Sequence, residues 1–96
     1  MYDVFTTGEF DAWLAGLNNI NTRTVIAKRV RMMSTGTLGE TKPLKGGLFE
    51  AKIRYGPGFR LYFINKGKRI IVLLCGGDKS TQRRDIEKAR KLAEEL

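Results

Sequence analysis

Leu48-Phe49-Glu50-Ala51-Lys52-Ile53-Arg54-Tyr55, then Gly56-Pro57-Gly58, then Phe59-Arg60-Leu61-Tyr62-Phe63-Ile64, is the stretch that decides the fold. In the first run Phe49, Ala51, Ile53 and Tyr55 fall on one side and Leu48, Glu50, Lys52 and Arg54 on the other. A period of two is the mark of a β-strand. Proline presets φ and the flanking glycines accept positive φ, so Gly56-Pro57-Gly58 is a turn. Phe59, Leu61 and Phe63 then alternate with Arg60, Tyr62 and Ile64, which predicts a second strand folded back on the first. Asn65-Lys66-Gly67-Lys68 turns the chain again. Arg69 to Cys75 is almost wholly apolar, as in a central strand covered on both faces, and Gly76-Gly77 closes it.

Outward from this meander the period changes. Tyr2, Val4 and Thr6 alternate with Asp3 and Phe5, a short N-terminal strand ended by Gly8. Phe10, Trp13, Leu14 and Leu17 follow helical spacing, and the Asn18-Asn19 pair breaks that helix. Asn21 or Thr22 is the expected cap of a second helix lined by Val25, Ile26, Val30 and Met33, with Gly36 as its left-handed terminator. Two helices this close form a hairpin. After Gly77, Asp78 or Ser80 is placed to cap a last helix whose Ile86, Ala89, Ala93 and Leu96 share a face. The prediction is an α+β fold, one domain over residues 1–96. An N-terminal strand and helical hairpin pack on an antiparallel sheet, followed by a C-terminal helix. The hairpin covers one sheet face, and the other is expected to lie open with Lys52, Arg54 and Arg60 on it.

The chain of 96 residues carries a net charge of +8. Between Thr41 and Arg84 it has eleven lysines and arginines against Glu50 and Asp78 alone. The charge thus sits on the sheet-forming segment, as a polyanion-binding face requires, and nucleic-acid phosphate is the first partner to consider. A single cysteine, Cys75, excludes an internal disulfide, and with no histidine neither a structural zinc site nor another metal or cofactor is expected. The longest apolar run, Ile70 to Cys75, is too short to cross a bilayer. The start lacks a basic region followed by an apolar core, so no signal peptide is expected and a reducing cytoplasm is the expected location.

Cations on a sheet face have a plain reading, since antiparallel sheets commonly leave one face in water. Two details favour anion binding. Lys79 follows Gly76-Gly77 just before a helix N-terminus, where free N–H groups attract anions. Arg83 and Arg84 occupy that helix's first turn, where cations are unfavourable, and a broken local rule often marks function. Cys75 reads as inert packing because no histidine base exists for it. Trp13 and Phe10 read as core, while Tyr55 and Tyr62 stay open between packing and base stacking.

Leu44-Lys45-Gly46-Gly47-Leu48-Phe49-Glu50-Ala51-Lys52-Ile53-Arg54, Gly58-Phe59-Arg60-Leu61-Tyr62-Phe63 and Leu74-Cys75-Gly76-Gly77-Asp78-Lys79-Ser80-Thr81-Gln82 together resemble the RelE/ParE toxin superfamily, within it the HigB-like addiction module killer group. The resemblance runs from Tyr2 to about Arg90. It implies a helical hairpin on an antiparallel sheet, the architecture read independently above. It further implies a toxin neutralised by a cognate antitoxin that covers or docks near the basic face. Any binding of operator DNA would come through the antitoxin. Members of the nuclease branch enter the ribosomal A site and cut mRNA. Carried over residue by residue, the arginine that contacts the scissile phosphate is Arg60, the basic residues of the preceding strand are Lys52 and Arg54, and the basic residue before the last helix is Lys79. Some nuclease members use a C-terminal tyrosine or histidine for proton transfer, and this chain has neither after Tyr62.

The expected chemistry is RNA cleavage supported by cations. Arg60 meets the non-bridging oxygens with its planar fork, Lys52 and Arg54 hold flanking phosphates, and Lys79 protonates the leaving oxygen. Glu50 is either a base or the partner of a neighbouring lysine, and pairing is the favoured reading. Lys45, Arg83, Arg84, Tyr55 and Tyr62 complete the expected RNA- and ribosome-binding set. Two alternatives remain: a ParE-type inhibitor of DNA gyrase without nuclease activity, and a non-catalytic nucleic-acid-binding module.

Overall fold

The alternation of residues 48–64 becomes two neighbouring strands of a five-stranded sheet in a computed structural model that describes residues 1–96. The elements run β1 (Asp3–Thr6), α1 (Gly8–Ala15), α2 (Ile20–Ser34), β2 (Thr41–Leu44), β3 (Leu48–Ile53), β4 (Phe59–Lys66), β5 (Ile70–Asp78), a 3-10 turn (Lys79–Thr81) and α3 (Gln82–Glu94). The strand order is β1-β5-β4-β3-β2. β2 to β5 pair antiparallel, and β1 adds to β5 in parallel, so the sheet is mixed. The fold is α+β, as the sequence predicts. None of its helices is long and apolar enough to cross a membrane.

Local chemistry sets the helix ends. Thr7 caps α1, its hydroxyl accepting the Phe10 N–H at 3.0 Å while donating to the Leu74 carbonyl at 2.6 Å. The cap of α2 is Asn19 and not Asn21 or Thr22: its Oδ1 accepts the N–H groups of both those residues. At the other end Gly36, with φ 96°, terminates α2 as predicted. Its N–H reaches Met33 O and the Thr37 N–H reaches Met32 O, the paired bonds of a left-handed helix stop.

β2 escaped prediction. Thr41-Lys42-Pro43-Leu44 has little strand character of its own and exists because it pairs with β3, Pro43 opposite Phe49. A proline is tolerated there because β2 is an edge strand. The Arg29 guanidinium from α2 ties the approach to β2 down, donating to the carbonyls of Leu38, Glu40 and Lys52.

The sheet divides two cores. On one face Phe10, Ile26 and Met33 of the helical hairpin meet Ala51, Ile53, Phe59, Leu61, Phe63, Ile71 and Leu73. On the other, Ala89 of α3, flanked by Ile86, Leu92 and Ala93, meets Leu48, Tyr62, Val72, Leu74 and Cys75. A register shift between Tyr62 and Phe63 lets the consecutive Leu74 and Cys75 join that second core. The expectation of an open second face is therefore corrected: α3 lies on it. The apolar stripe of α3 needs a partner, and Leu48, Tyr62, Val72 and Leu74 are too apolar to face water. Leu96, assigned to the stripe, lies beyond α3 and is exposed.

Candidate nucleic-acid interface

Arg60 stands at the centre of the predicted site. Its neighbours in register are Lys52 on β3 and Gly77 on β5, so Lys52 and Arg60 project from the same sheet face on adjacent strands. That face carries α3, and Arg60 is only 6% exposed. Its Nη1 donates to the Gly58 carbonyl at 3.0 Å. Its Nε lies 3.7 Å from Glu50 Oε1, an ion-pair distance too long for a hydrogen bond, and has no other partner. Glu50 is as buried as Arg60, and its Oε2 accepts from Gln82 Nε2 at 2.8 Å. Glu50 is thus paired, with an arginine and not with a lysine.

The remaining residues divide by location. Lys52 is half-buried beside Arg60, its backbone held by Glu40 and Arg29. Lys79 is exposed in the 3-10 turn directly after β5. The turn is capped by Asp78, which accepts from the Ser80 N–H and hydroxyl. Those bonds, with a smaller contribution from the Arg60 charge, hold the Asp78 carboxyl below its ordinary range. Arg83 and Arg84 are exposed on the first turn of α3, and Tyr55 is partly exposed in the turn leading to Arg60.

Three expected residues fall outside this group. β3 ends at Ile53, so Arg54 leaves the sheet face. It forms a two-pronged pair with Glu40 at 2.8 and 3.0 Å, which holds Glu40 below the usual carboxylate range. Lys45 sits at the β2–β3 turn, at the opposite end of β3 from Lys52, where its carbonyl accepts from Arg90. At about 3.3 Å per residue it is on the order of 15 Å or more from Arg60. Tyr62 is fully buried, so no base can stack on it. Burial, reinforced by the charge of Glu50, pushes its phenol well above the ordinary range, and its hydroxyl has no partner.

Two residues of the neighbourhood had no role in the sequence reading. Gln82 anchors Glu50; its sequence signal is its place at the end of the Leu74–Gln82 run that carries the resemblance, which assigns it no role. Asp85 is 4% exposed and accepts from the Thr81 hydroxyl. It lies against Gly77, where a Cβ would come within 1.8 Å of its Oδ2. Beside it Gly76 admits the ring of Trp13, which a Cβ would meet at 2.4 Å. The Gly76-Gly77 pair is thus the floor on which α1 and α3 both rest, below a cleft of about 420 Å³ that Arg84 and Lys88 also line. Cys75 beside them is buried, and that burial pushes its thiol up to about 12.

No protein-family model matches the chain. An uncharacterized protein of Haemophilus influenzae is 43% identical over 91 residues, covering 95% of this chain and 92% of that one. Identity at that level over nearly the full length of both proteins means a shared fold and descent, and the chain belongs to the same family as this Haemophilus protein.

Proposed function

We propose that the chain is the toxin of a toxin–antitoxin pair, an endoribonuclease that cuts mRNA on the ribosome. The observation carrying this reading is the register of Lys52 with Arg60 on adjacent strands, with Gly77 beside Arg60 and Lys79 two residues further on. Exposed Arg83 and partly exposed Tyr55 flank the same end of the sheet. This is a cationic rim suited to a phosphodiester backbone with an aromatic ring at its edge. The resemblance to the RelE/ParE superfamily supplies the reaction class.

Cleavage by the 2′-hydroxyl releases the O2′ proton to solvent water, forms a bond from O2′ to phosphorus, passes through a pentavalent phosphorane and breaks the P–O5′ bond, leaving a 2′,3′-cyclic phosphate and a 5′-oxygen that takes a proton. Arg60 and Lys52 stabilise the charge on the phosphorane, and Lys79 gives the proton. One preorganised donor of this kind is worth about 10²–10³ in rate. The carboxylates beside Arg60 are occupied, Glu50 by Gln82, Asp78 by Ser80 and Asp85 by Thr81, and the chain has no histidine. Strong charge stabilisation without a free base suits an enzyme whose substrate is aligned by the ribosome, which contributes the proximity term. The antitoxin is expected to cover this rim.

The test is expression without a partner, beside Arg60→Ala, with mRNA 5′ ends mapped by primer extension. Codon-phased cuts present with the wild type and absent with the variant are the expected result. A second reading, RNA binding without catalysis, is favoured by one observation: the Arg60 charge is already balanced by Glu50. It predicts intact mRNA and no growth arrest. Growth arrest with DNA damage and intact mRNA would instead point to gyrase inhibition.

A further inference from the structure

Glu50, Arg60, Tyr62 and Gln82 form a buried polar group under the first turn of α3, and its hydrogen bonding is incomplete. Arg60 Nε and the Tyr62 hydroxyl are both buried donors without partners. More than nine in ten buried polar groups in folded proteins are satisfied, so two orphans beside one carboxylate call for a cause. Glu50 is the acceptor closest to hand. It lies opposite Tyr62 in register, and its charge reaches both groups. Yet the one hydrogen bond it accepts comes from Gln82, at 2.8 Å.

The consequence lies in the guanidinium. An arginine facing a buried carboxylate normally closes a two-pronged pair through Nε and one Nη. Here that closure is missing: Nε stops at 3.7 Å, and Nη1 points to the Gly58 carbonyl. Glu50 balances the charge of Arg60 without occupying its donors. We propose that Gln82 is a positioning residue. By holding Glu50 Oε2 it keeps the carboxylate from closing on Arg60, and so leaves Nη2, the one guanidinium nitrogen that is neither hydrogen-bonded nor sealed from solvent, for a phosphodiester oxygen. This rests on the reading of Arg60 as a phosphate ligand and adds to it the device that keeps a buried arginine available. A merely structural Gln82 would stabilise the protein. The restraining Gln82 withholds a stabilising ion pair, and its removal tightens Glu50 onto Arg60.

Gln82→Met removes the donor and keeps nearly the same shape, on a side chain that is only partly buried. Binding is read by anisotropy with a short 2′-O-methylated oligoribonucleotide, which cannot be cleaved. The Arg60 Nε–H is followed in ¹⁵N spectra and the Tm is measured alongside. The expected result is an affinity about tenfold weaker, a Tm unchanged or raised, and an Arg60 Nε–H newly protected from exchange. Gln82→Ala repeats the measurement with a side chain that cannot crowd the turn. Wild-type affinity in both Gln82 variants, with weakened binding in Arg60→Ala, overturns the role of Gln82 and leaves the phosphate reading in place. Wild-type affinity in Arg60→Ala overturns the phosphate reading and this inference together. A lowered Tm with an unprotected Nε–H would make Gln82 an ordinary structural contact and also overturn the inference.

Discussion

Arg60 and Glu50 show how a buried charge changes the meaning of a mutation. Removing one partner of a buried pair strands the other and costs about 3–5 kcal/mol. Arg60→Ala is therefore expected to lose roughly 3 kcal/mol of stability as well as activity, the low end because Gln82 still donates to Glu50. Urea unfolding measures it, and a variant as stable as the wild type would mean that the pair carries no charge balance. Tyr62 is the opposite case. Its ring is fully buried and its hydroxyl has no partner, so Tyr62→Phe removes an unsatisfied group and keeps the packing. The expected outcome is a gain of about 1 kcal/mol with RNA affinity unchanged; a clear loss of affinity would restore a role for the phenol. Cys75 sets an alkaline limit. Its thiol rises from the ordinary 9.0 to about 12 in the folded chain, so the folded state holds the proton that the unfolded state releases. That stabilisation is complete below pH 9 and declines as pH rises toward 12; the Tyr62 phenol, raised by burial, acts in the same direction. The urea midpoint should fall between pH 9 and 11 in the wild type and fall less in Cys75→Ala. Equal slopes would remove the cysteine from the account.

The placement of α3 decides most of what separates the structure from its sequence. Strands β3, β4 and β5 and the hairpin α1–α2 are legible because each buries one face, or both, and burial imprints a period of two, a period of 3.6 or an unbroken apolar run. β2 is not legible: Leu44 is its only large apolar residue, and pairing with β3 alone makes it a strand. The Ile86, Ala89, Ala93 stripe of α3 is equally plain in the sequence, but a stripe does not say which surface it will cover. That one unknown turned Arg60 and Glu50 from exposed to buried and took Tyr62 out of reach of a base. The shared face of Lys52 and Arg60 was readable from the alternation, but their register was not: a three-residue turn over 56–58 would set Arg54 opposite Arg60, whereas β3 ends at Ile53 and five residues make the connection. Gly77 identifies the contact that seats α3. A methyl group there would lie 1.8 Å from Asp85 Oδ2 and 2.9 Å from Thr81 Oγ1, so the first turn of the helix must lift. Gly77→Ala is expected to cost about 2–3 kcal/mol and to raise amide exchange preferentially in α3. A uniform rise across all elements would mean that α3 docks independently of this contact.

At the scale of the whole molecule the issue is where the net charge of +8 remains available. Three ion pairs, Arg54–Glu40, Arg60–Glu50 and Lys88–Glu9, remove their members from the free cations. Lys66, Lys68 and Arg69 sit at the β4–β5 turn, at the other end of β4 from Arg60, where they raise the long-range potential without touching a ligand held at Lys52. The rim itself offers Lys52, Lys79 and Arg83 as uncompensated cations, about three neutralised phosphates, while Arg60 adds a donor but no net charge. On single-stranded RNA each neutralised phosphate contributes about −0.7 to the slope of log K against log salt. Three neutralised phosphates give a slope near −2, and raising salt from 50 to 200 mM should weaken binding roughly twentyfold. Lys79→Ala should lower the slope by about 0.7, while Lys45→Ala, at the far end of the sheet, should leave it unchanged. Anisotropy titrations of a 2′-O-methylated RNA at four salt concentrations separate these values. Equal effects from the two lysines would mean that charge acts through the overall field and not at a built rim. A flat salt response would mean that the ligand is not held by its phosphates.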